Sequence, residues 1–232
     1  MLGMRAALRV IGMSRIVRSA VIGCGLLGVA LPVLSLLVFR LLPPPLTPFM
    51  LVRALGGAPL HCQWVPLASM SPHVVRAVVA AEDARFMHHA GFDWTEVEAA
   101  LRAGRHGHRL RGASTISMQC ARTLFLWPGR SWSRKAVEAY LTVLLEAFWT
   151  KRRILETYLN LVEWGDGVYG CEAAARAYFD TSCAALTAEQ AARMAAVLPN
   201  PRAWAPNHPG PFVRRRTSLI LARMSQVAVP SR

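Results

Sequence analysis

Lysine is nearly absent from this 232-residue chain: Lys135 and Lys151 are the only two among 27 basic residues. Acids are scarce too, 13 in all, which leaves a formal net charge of +14 and a pI near 11.1. An arginine-rich coding bias accounts for Arg over Lys, but not for so few acids. The balance points to an anionic partner: nucleic acid, an anionic membrane surface or a phosphorylated substrate. Low-complexity tracts are missing, which excludes a disordered chain, and no internal repeat is visible. None of the five cysteines forms a CxxC pair, and their spacing suits neither zinc nor an iron–sulfur cluster. Cys24 lies in an apolar run. Cys62, Cys120, Cys171 and Cys183 could pair in an oxidising compartment, in a pairing the sequence leaves open. The favoured reading is that they are small buried apolar residues.

One long hydrophobic run exists. Ala20 to Phe39 carries no charge, and a helix needs about 20 such residues to cross a bilayer core. Pro32 would kink that helix without excluding it. Arg5, Arg9, Arg15 and Arg18 precede the run, with no acid among residues 1–19. The positive-inside rule therefore places the N-terminus in the cytoplasm and the rest outside. A cleaved signal peptide is the competing reading, but the run exceeds the usual ~7–15-residue apolar region. It also meets Arg40 and Pro43-Pro44-Pro45 rather than a small-residue cleavage site. The expected organisation is a cytoplasmic N-terminus over 1–19, a transmembrane helix over 20–39, a linker over 40–64, one domain over 65–225 and a tail over 226–232. An exported basic domain held at a bilayer meets lipid headgroups or lipid-linked phosphates rather than nucleic acid.

Residues 43–70 are rich in Pro and Gly and read as a linker with room for one short strand. Strand signals are almost absent from the domain beyond it, so its expected class is mainly α. Ser71-Pro72 reads as an N-cap with proline in the first turn, followed by Val74, Val75, Val78 and Val79 at helical spacing. Asp93 opens a second helix that ends near Gly104, and 104–113 reads as a polar, basic, mobile loop. Further helices are expected over 114–124, 131–149, 152–162, 172–178, 188–198 and 212–224, the one at 188 opening with a Thr187/Gln190 capping box. Trp164, Tyr169 and Tyr178 are expected in the core, and Glu156 and Asn160 in helix packing.

Glu82 is the most informative position. It follows Val75, Val78 and Val79 by seven, four and three residues, which puts its carboxylate in the apolar stripe of the helix. A carboxylate there is costly unless paired or protonated, and desolvation tunes such a group toward neutral pH, as a general base requires. The alternative is an internal ion pair, with Arg85 or with a distant arginine. Acids, histidines and arginine crowd the stretch from Glu82 to Asp93. Further on, Arg111-Gly112-Ala113-Ser114-Thr115-Ile116-Ser117-Met118-Gln119 combines a glycine turn with hydroxyls and an amide, a turn that can offer N–H groups to phosphate.

These motifs resemble those of the biosynthetic peptidoglycan transglycosylases, glycosyltransferase family 51, in their monofunctional membrane-anchored branch. The resemblance spans about Val65 to Met224. It rests on Glu82-Asp83-x-x-Phe86-x-x-His89-x-Gly91, Gly112 to Gln119, Arg134-Lys135-x-x-Glu138, Ile154 to Asn160 with Trp164 to Gly170, and Leu186 to Ala192 leading to Leu198-Pro199-Asn200-Pro201. It implies a lysozyme-like helical fold behind the anchor. The implied activity is polymerisation of lipid II into β-1,4-linked glycan at the periplasmic face of the inner membrane, releasing undecaprenyl diphosphate. Glu82 is implied as the general base and Glu138 as a second acid near the donor. Arg122, Arg134 and Lys135 are implied as diphosphate contacts; Asp83, Phe86, His89, Ser114, Thr115 and Gln119 bind substrate or shape the site. Implied partners are lipid II, the growing glycan, the bilayer and other cell-wall synthesis proteins, with no nucleic acid. The family leaves room for Mg or Mn at the diphosphate, but the sequence offers no metal-ligand cluster, and adjacent His88 and His89 point to different faces. Ala113 stands where a second glycine is frequent, and Arg122 where lysine is. Two other readings compete: a lysozyme-like hydrolase with paired carboxylates, and a non-catalytic membrane-tethered scaffold.

Overall fold

The computed structural model describes residues 15–105, 114–129 and 131–231. Arg5, Arg9, Ala113 and nearly all of the loop expected over 104–113 lie outside them. The chain divides into two compact units, Met1–Leu41 and Leu42–Arg232. In the first, helix α1 runs over Arg15–Leu41 with Pro32 inside it, and encloses the run expected to span a membrane. Among the described residues, no helix is long and apolar enough to cross a membrane. Side chains of α1 are described only at Ser19, Leu26 and from Gly28 onward, so part of the 20–39 expectation lies outside them.

The second unit is mainly helical. Helices α2 (Pro48–Leu55), α3 (Pro72–Glu82), α4 (Trp94–Arg105), α5 (Ile116–Phe125) and α6 (Trp132–Phe148) come first. Then come α7 (Lys151–Leu161), α8 (Cys171–Phe179), α9 (Ala188–Val197) and α10 (Pro211–Arg223). Hydroxyl caps start most of them: the side chains of Thr47, Ser71, Thr115, Ser131, Thr150 and Thr187 each accept a first-turn N–H. Each such cap stabilises its helix by about 1 kcal/mol. Gln190 completes the expected capping box with Thr187. Asp93 does the same work for α4, accepting from the Thr95 and Glu96 amides.

Helices pack in two groups. α9 lies against both α3 and α10, while α5 lies against α6 and α7. The valines expected on one stripe of α3 are fully or almost fully buried. Burying each such side chain contributes about 1.5–3 kcal/mol, which fixes α3 and the residue at its end.

Two features depart from the sequence expectation. The expected linker contains α2 as well as the short strand for which its sequence left room, β1 (His61–Cys62), and Glu163–Gly165 (β2) and Val168–Tyr169 (β3) form an unexpected hairpin. The sheet order is β1-β3-β2, with β1 parallel and β2 antiparallel to β3. Gly167 makes the turn at φ 71°, where a side chain would strike the Pro59 carbonyl. Strands of two or three residues carry no readable alternation, so period-2 patterning could not reveal them. Trp164 and Tyr169 are buried in this region as expected, and Tyr178 is half-buried.

The second departure corrects the cysteine reading. Cys171 and Cys183 are joined in a disulfide with Cα atoms 5.7 Å apart. The fold brings the first turn of α8 beside the turn over Cys183–Ala185, where the Cys183 amide donates to Glu172. Cys62 and Cys120 are free, the first exposed and the second buried.

Candidate active site

Glu82 closes α3 and faces two other helices. Gln119 of α5 donates its side-chain amide to Glu82 Oε2 at 3.0 Å, and Arg216 of α10 reaches Oε1 at 3.2 Å. The same Arg216 nitrogen lies 3.2 Å from the Ala81 carbonyl oxygen. The Glu82 side chain keeps 13% of its surface exposed. The mid-stripe placement is therefore corrected. α3 stops at Glu82, and the chain turns out of the helix at Asp83 (φ −161°, ψ 75°), so the carboxylate sits at a helix end rather than deep in the apolar layer. Of the two ion-pair alternatives, the distant arginine holds. Arg85 pairs instead with Asp93 at 3.4 Å.

The neighbouring motif residues build the support under Glu82. Asp83 is buried, accepts the Ile116 N–H at 2.9 Å and meets His89 Nε2 at 2.9 Å. One carboxylate thus ties the end of α3 to the start of α5, in a spot where the amides of a helix N-terminus favour negative charge. Phe86 is fully buried, edge-on to His89, and Lys151 lies 4.5 Å over its ring. Lys151 also pairs with Glu146 at 2.7 Å, and Glu146 accepts from Ser117. Asp83, His89 and Asp93 each bring one ligand-capable atom within 4.8 Å of the others, a cluster the sequence reading did not find. Within it Asp83 bonds His89 and the Ile116 amide, Asp93 bonds the Thr95 and Glu96 amides and Arg85, and His89 Nδ1 is buried with no hydrogen-bond partner.

A cavity of about 550 Å³ opens at Glu82, with Ser114, Gln119, Arg122, Arg216 and Arg223 among its lining. A second, of about 500 Å³, shares Gln119, Arg122, Leu198 and Pro199 with it and adds Arg134. A third, of about 200 Å³, shares Glu82, Ser114 and Arg223 and adds Asp83 and Thr115. Thr115 is 3% exposed and donates to the Gly91 carbonyl at 2.6 Å, so packing holds it as well. Glu82, Ser114, Gln119 and Arg122 therefore line one cavity, and Arg134 lines the next.

Glu138 does not line these cavities. It is 1% exposed and contacts Lys135 Nζ at 2.6 Å and Arg134 at 3.9 Å. Arg134 also donates to the Trp127 carbonyl at 3.0 Å, which aims it along the second cavity.

Comparison with known proteins settles what kind of chain this is. The family model described as Transglycosylase matches residues 50–225. The chain belongs to the transglycosylase family. A biosynthetic peptidoglycan transglycosylase of Rhodospirillum centenum is 53% identical over 204 residues, covering 87% of this chain and 88% of that one. The same-named protein of Caulobacter vibrioides is 47% identical over 206 residues, covering 89% and 90%. That of Ectopseudomonas mendocina is 49% identical over 200 residues, covering 84% and 83%.

The transglycosylase match contains every site residue named so far, including those that sequence reasoning missed. Arg216 and Arg223 were overlooked, although a signal existed: Arg214-Arg215-Arg216 and Arg223 concentrate charge on the last helix. Tyr158 was overlooked as a functional group. It is 1% exposed, and its hydroxyl bonds to Gln119 at 3.1 Å. It falls inside the Ile154 to Asn160 motif, but nothing local assigns it a role, because its partner lies 39 residues away.

Proposed function

We propose that this transglycosylase polymerises lipid II into β-1,4-linked glycan strands, with Glu82 as general base. The observation that carries the reading is the single cavity in which one accessible carboxylate, Glu82, faces the guanidinium groups of Arg122, Arg216 and Arg223. Glu82 takes the proton from the 4-hydroxyl of the acceptor N-acetylglucosamine. The freed oxygen pair forms the new bond at the donor's anomeric carbon from the face opposite the leaving group. The bond from that carbon to the diphosphate breaks, its electrons leave with undecaprenyl diphosphate, and the centre inverts from α to β.

A diphosphate is a good leaving group, so the reaction needs charge held in place more than a strong acid. Donors aimed at developing charge are worth ~3–4 kcal/mol each in a water-poor site. Arg122, common to both larger cavities, and Arg134 are suited to that work. Glu138 is read as acting through Lys135 and Arg134, holding both cations rather than meeting the sugar. The lining of the main cavity does not suit a resident Mg or Mn ion, since three guanidinium groups share it with the one carboxylate, and no step is routed through a metal. A hydrolase of neutral glycan has no use for this cationic wall, and a scaffold has no use for the carboxylate.

The fold is read as lysozyme-like, with α1 as a single-pass anchor in the inner membrane and the domain in the periplasm. Support comes from the arginines before the apolar run and from exposed Leu26, Val29, Leu31, Leu34 and Leu41 along α1. The Cys171–Cys183 disulfide suits an oxidising compartment. The partners that follow are lipid II, the growing glycan, the bilayer and other wall-synthesis proteins. Lipid II polymerisation by wild type and Glu82→Gln tests the central claim. Long glycan from the first and none from the second is expected; polymer from the variant would end the assignment.

A further inference from the structure

The hydrogen bonds on Glu82 continue past it in one direction. Tyr158 of α7 donates its hydroxyl to Gln119 Oε1 at 3.1 Å. Gln119 in turn donates Nε2–H to Glu82 Oε2 at 3.0 Å, while Arg216 holds Oε1. A primary amide offers one oxygen that accepts and one nitrogen that donates. Both neighbours of Gln119 demand the same arrangement. The phenol needs the oxygen, and the carboxylate needs the N–H. Flipped by 180°, the amide would set its oxygen against the Glu82 carboxylate. Burial, with the charge of Glu82 close by, pushes the Tyr158 phenol well above its usual range, so the hydroxyl keeps the proton it donates. Gln119 needs such a keeper. Its side chain lines both larger cavities, where water or a sugar hydroxyl competes for the amide. Tyr158 lines neither of them, and it is 1% exposed.

We propose that Tyr158 is a positioning residue that fixes the Gln119 amide and, through it, the orientation in which the Glu82 carboxylate takes a proton. The proposal rests on the reading of Glu82 as the base. It adds a residue on α7, outside the cavity, that tunes turnover without touching substrate. The arrangement runs across three helices, α7, α5 and α3, and α10 closes it through Arg216 on the other carboxylate oxygen.

The test uses the full-length protein and lipid II. Tyr158→Phe removes one hydroxyl and keeps the ring. Its kcat is expected to fall about three- to tenfold, the scale of one net hydrogen bond. KM is expected to stay within about twofold, since no contact with substrate is lost. The deciding measurement repeats the substitution in a Gln119→Met background, where the link is already cut. There Tyr158→Phe is expected to change kcat by less than about twofold, because coupled residues are non-additive. A packing role for Tyr158 would cost the same factor in both backgrounds. Full kcat in the single variant, or equal losses in both backgrounds, overturns the proposal. If Tyr158→Phe melts below the assay temperature, the same four-variant comparison is run at a lower temperature where every variant is folded, and the same outcomes decide. An active Glu82→Gln would remove the base reading itself. An inactive Glu82→Gln beside an unaffected Tyr158→Phe would remove only this inference.

Discussion

Glu82 and Glu138 are both glutamates near the ends of motifs, and the fold treats them in opposite ways. Glu138 finds its partners on its own helix, Lys135 and Arg134, three and four residues back, and almost disappears from solvent. Glu82 finds Gln119 and Arg216, 37 and 134 residues away, and keeps a face open to a cavity. A carboxylate satisfied by its own helix stays in place whatever the rest of the chain does. One held by two distant helices has an orientation that tertiary structure decides, and its remaining lone pairs are free for a substrate proton. On the proposed reading, the difference separates a group that moves protons from one that holds cations.

The largest effect expected to sharpen this contrast is at Glu82. Glu82→Gln keeps the shape and the bond to Arg216 but cannot take a proton, so turnover should fall about 10²–10⁴-fold, the usual worth of a general base. Melting temperature and lipid II binding should change little. A large drop in melting temperature with residual turnover would make Glu82 structural instead. Next comes the disulfide, which bears on the Glu82 side alone. The Cys183 carbonyl accepts the Ser71 N–H, and the Ser71 hydroxyl donates to the Leu186 carbonyl, so the turn beyond the disulfide grips the start of α3. Replacing Cys171 and Cys183 by serine should lower stability by about 2–4 kcal/mol for a loop of this size. Amide hydrogen exchange should rise in α3 and stay unchanged in α6. Equal loosening of both helices would erase the contrast between long-range and local support.

The helices were legible because the signals that make them are local. Ser71, Asp93 and Thr187 stand at the N-caps the sequence indicated, and most boundaries agree within a residue or two. The candidate-site residues on α3 and α5 were legible through motifs whose members lie close together in sequence. What stayed hidden depends on distance along the chain. Arg216 and Tyr158 acquire meaning only when α10 and α7 pack beside the ends of α3 and α5. The partner of Glu82 was open between Arg85 and a distant arginine because helical spacing favours the near one, whereas the chain turns at Asp83 and hands Arg85 to Asp93. The disulfide was missed for the same reason: no spacing rule sets Cys171 against Cys183 until a helix start and a turn are brought together.

Smaller effects are expected at Glu138. Glu138→Gln keeps an oxygen for Lys135 but loses the charge, and Lys135, with 44% of its side chain exposed, can turn to water. The cost in stability should be about 1–3 kcal/mol, the range for a partner removed from a buried polar group. KM for lipid II should rise more than kcat falls, because Arg134 and Lys135 lose their anchor while Glu82 is untouched. A loss confined to kcat would instead put Glu138 at the reacting atoms.

The smallest effect is Lys135→Arg, and it isolates what the buried carboxylate requires. The chain uses arginine almost everywhere, yet the two lysines both meet glutamates, Glu138 and Glu146, at 2.6 and 2.7 Å. An ammonium is a compact point charge that reaches a carboxylate from the same helix, whereas a guanidinium is a planar fork. With Arg134 already flanking Glu138, an arginine at position 135 has room to lie outward and keep only part of the contact. A stability change of under about 1 kcal/mol is expected, in line with a half-exposed ion pair, with turnover within about twofold. Thermal melting and the lipid II assay on this variant measure both. A collapse of turnover here would mean that the Lys135 ammonium itself meets the diphosphate, and that the local pair at Glu138 is as much a part of the chemistry as the long-range one at Glu82.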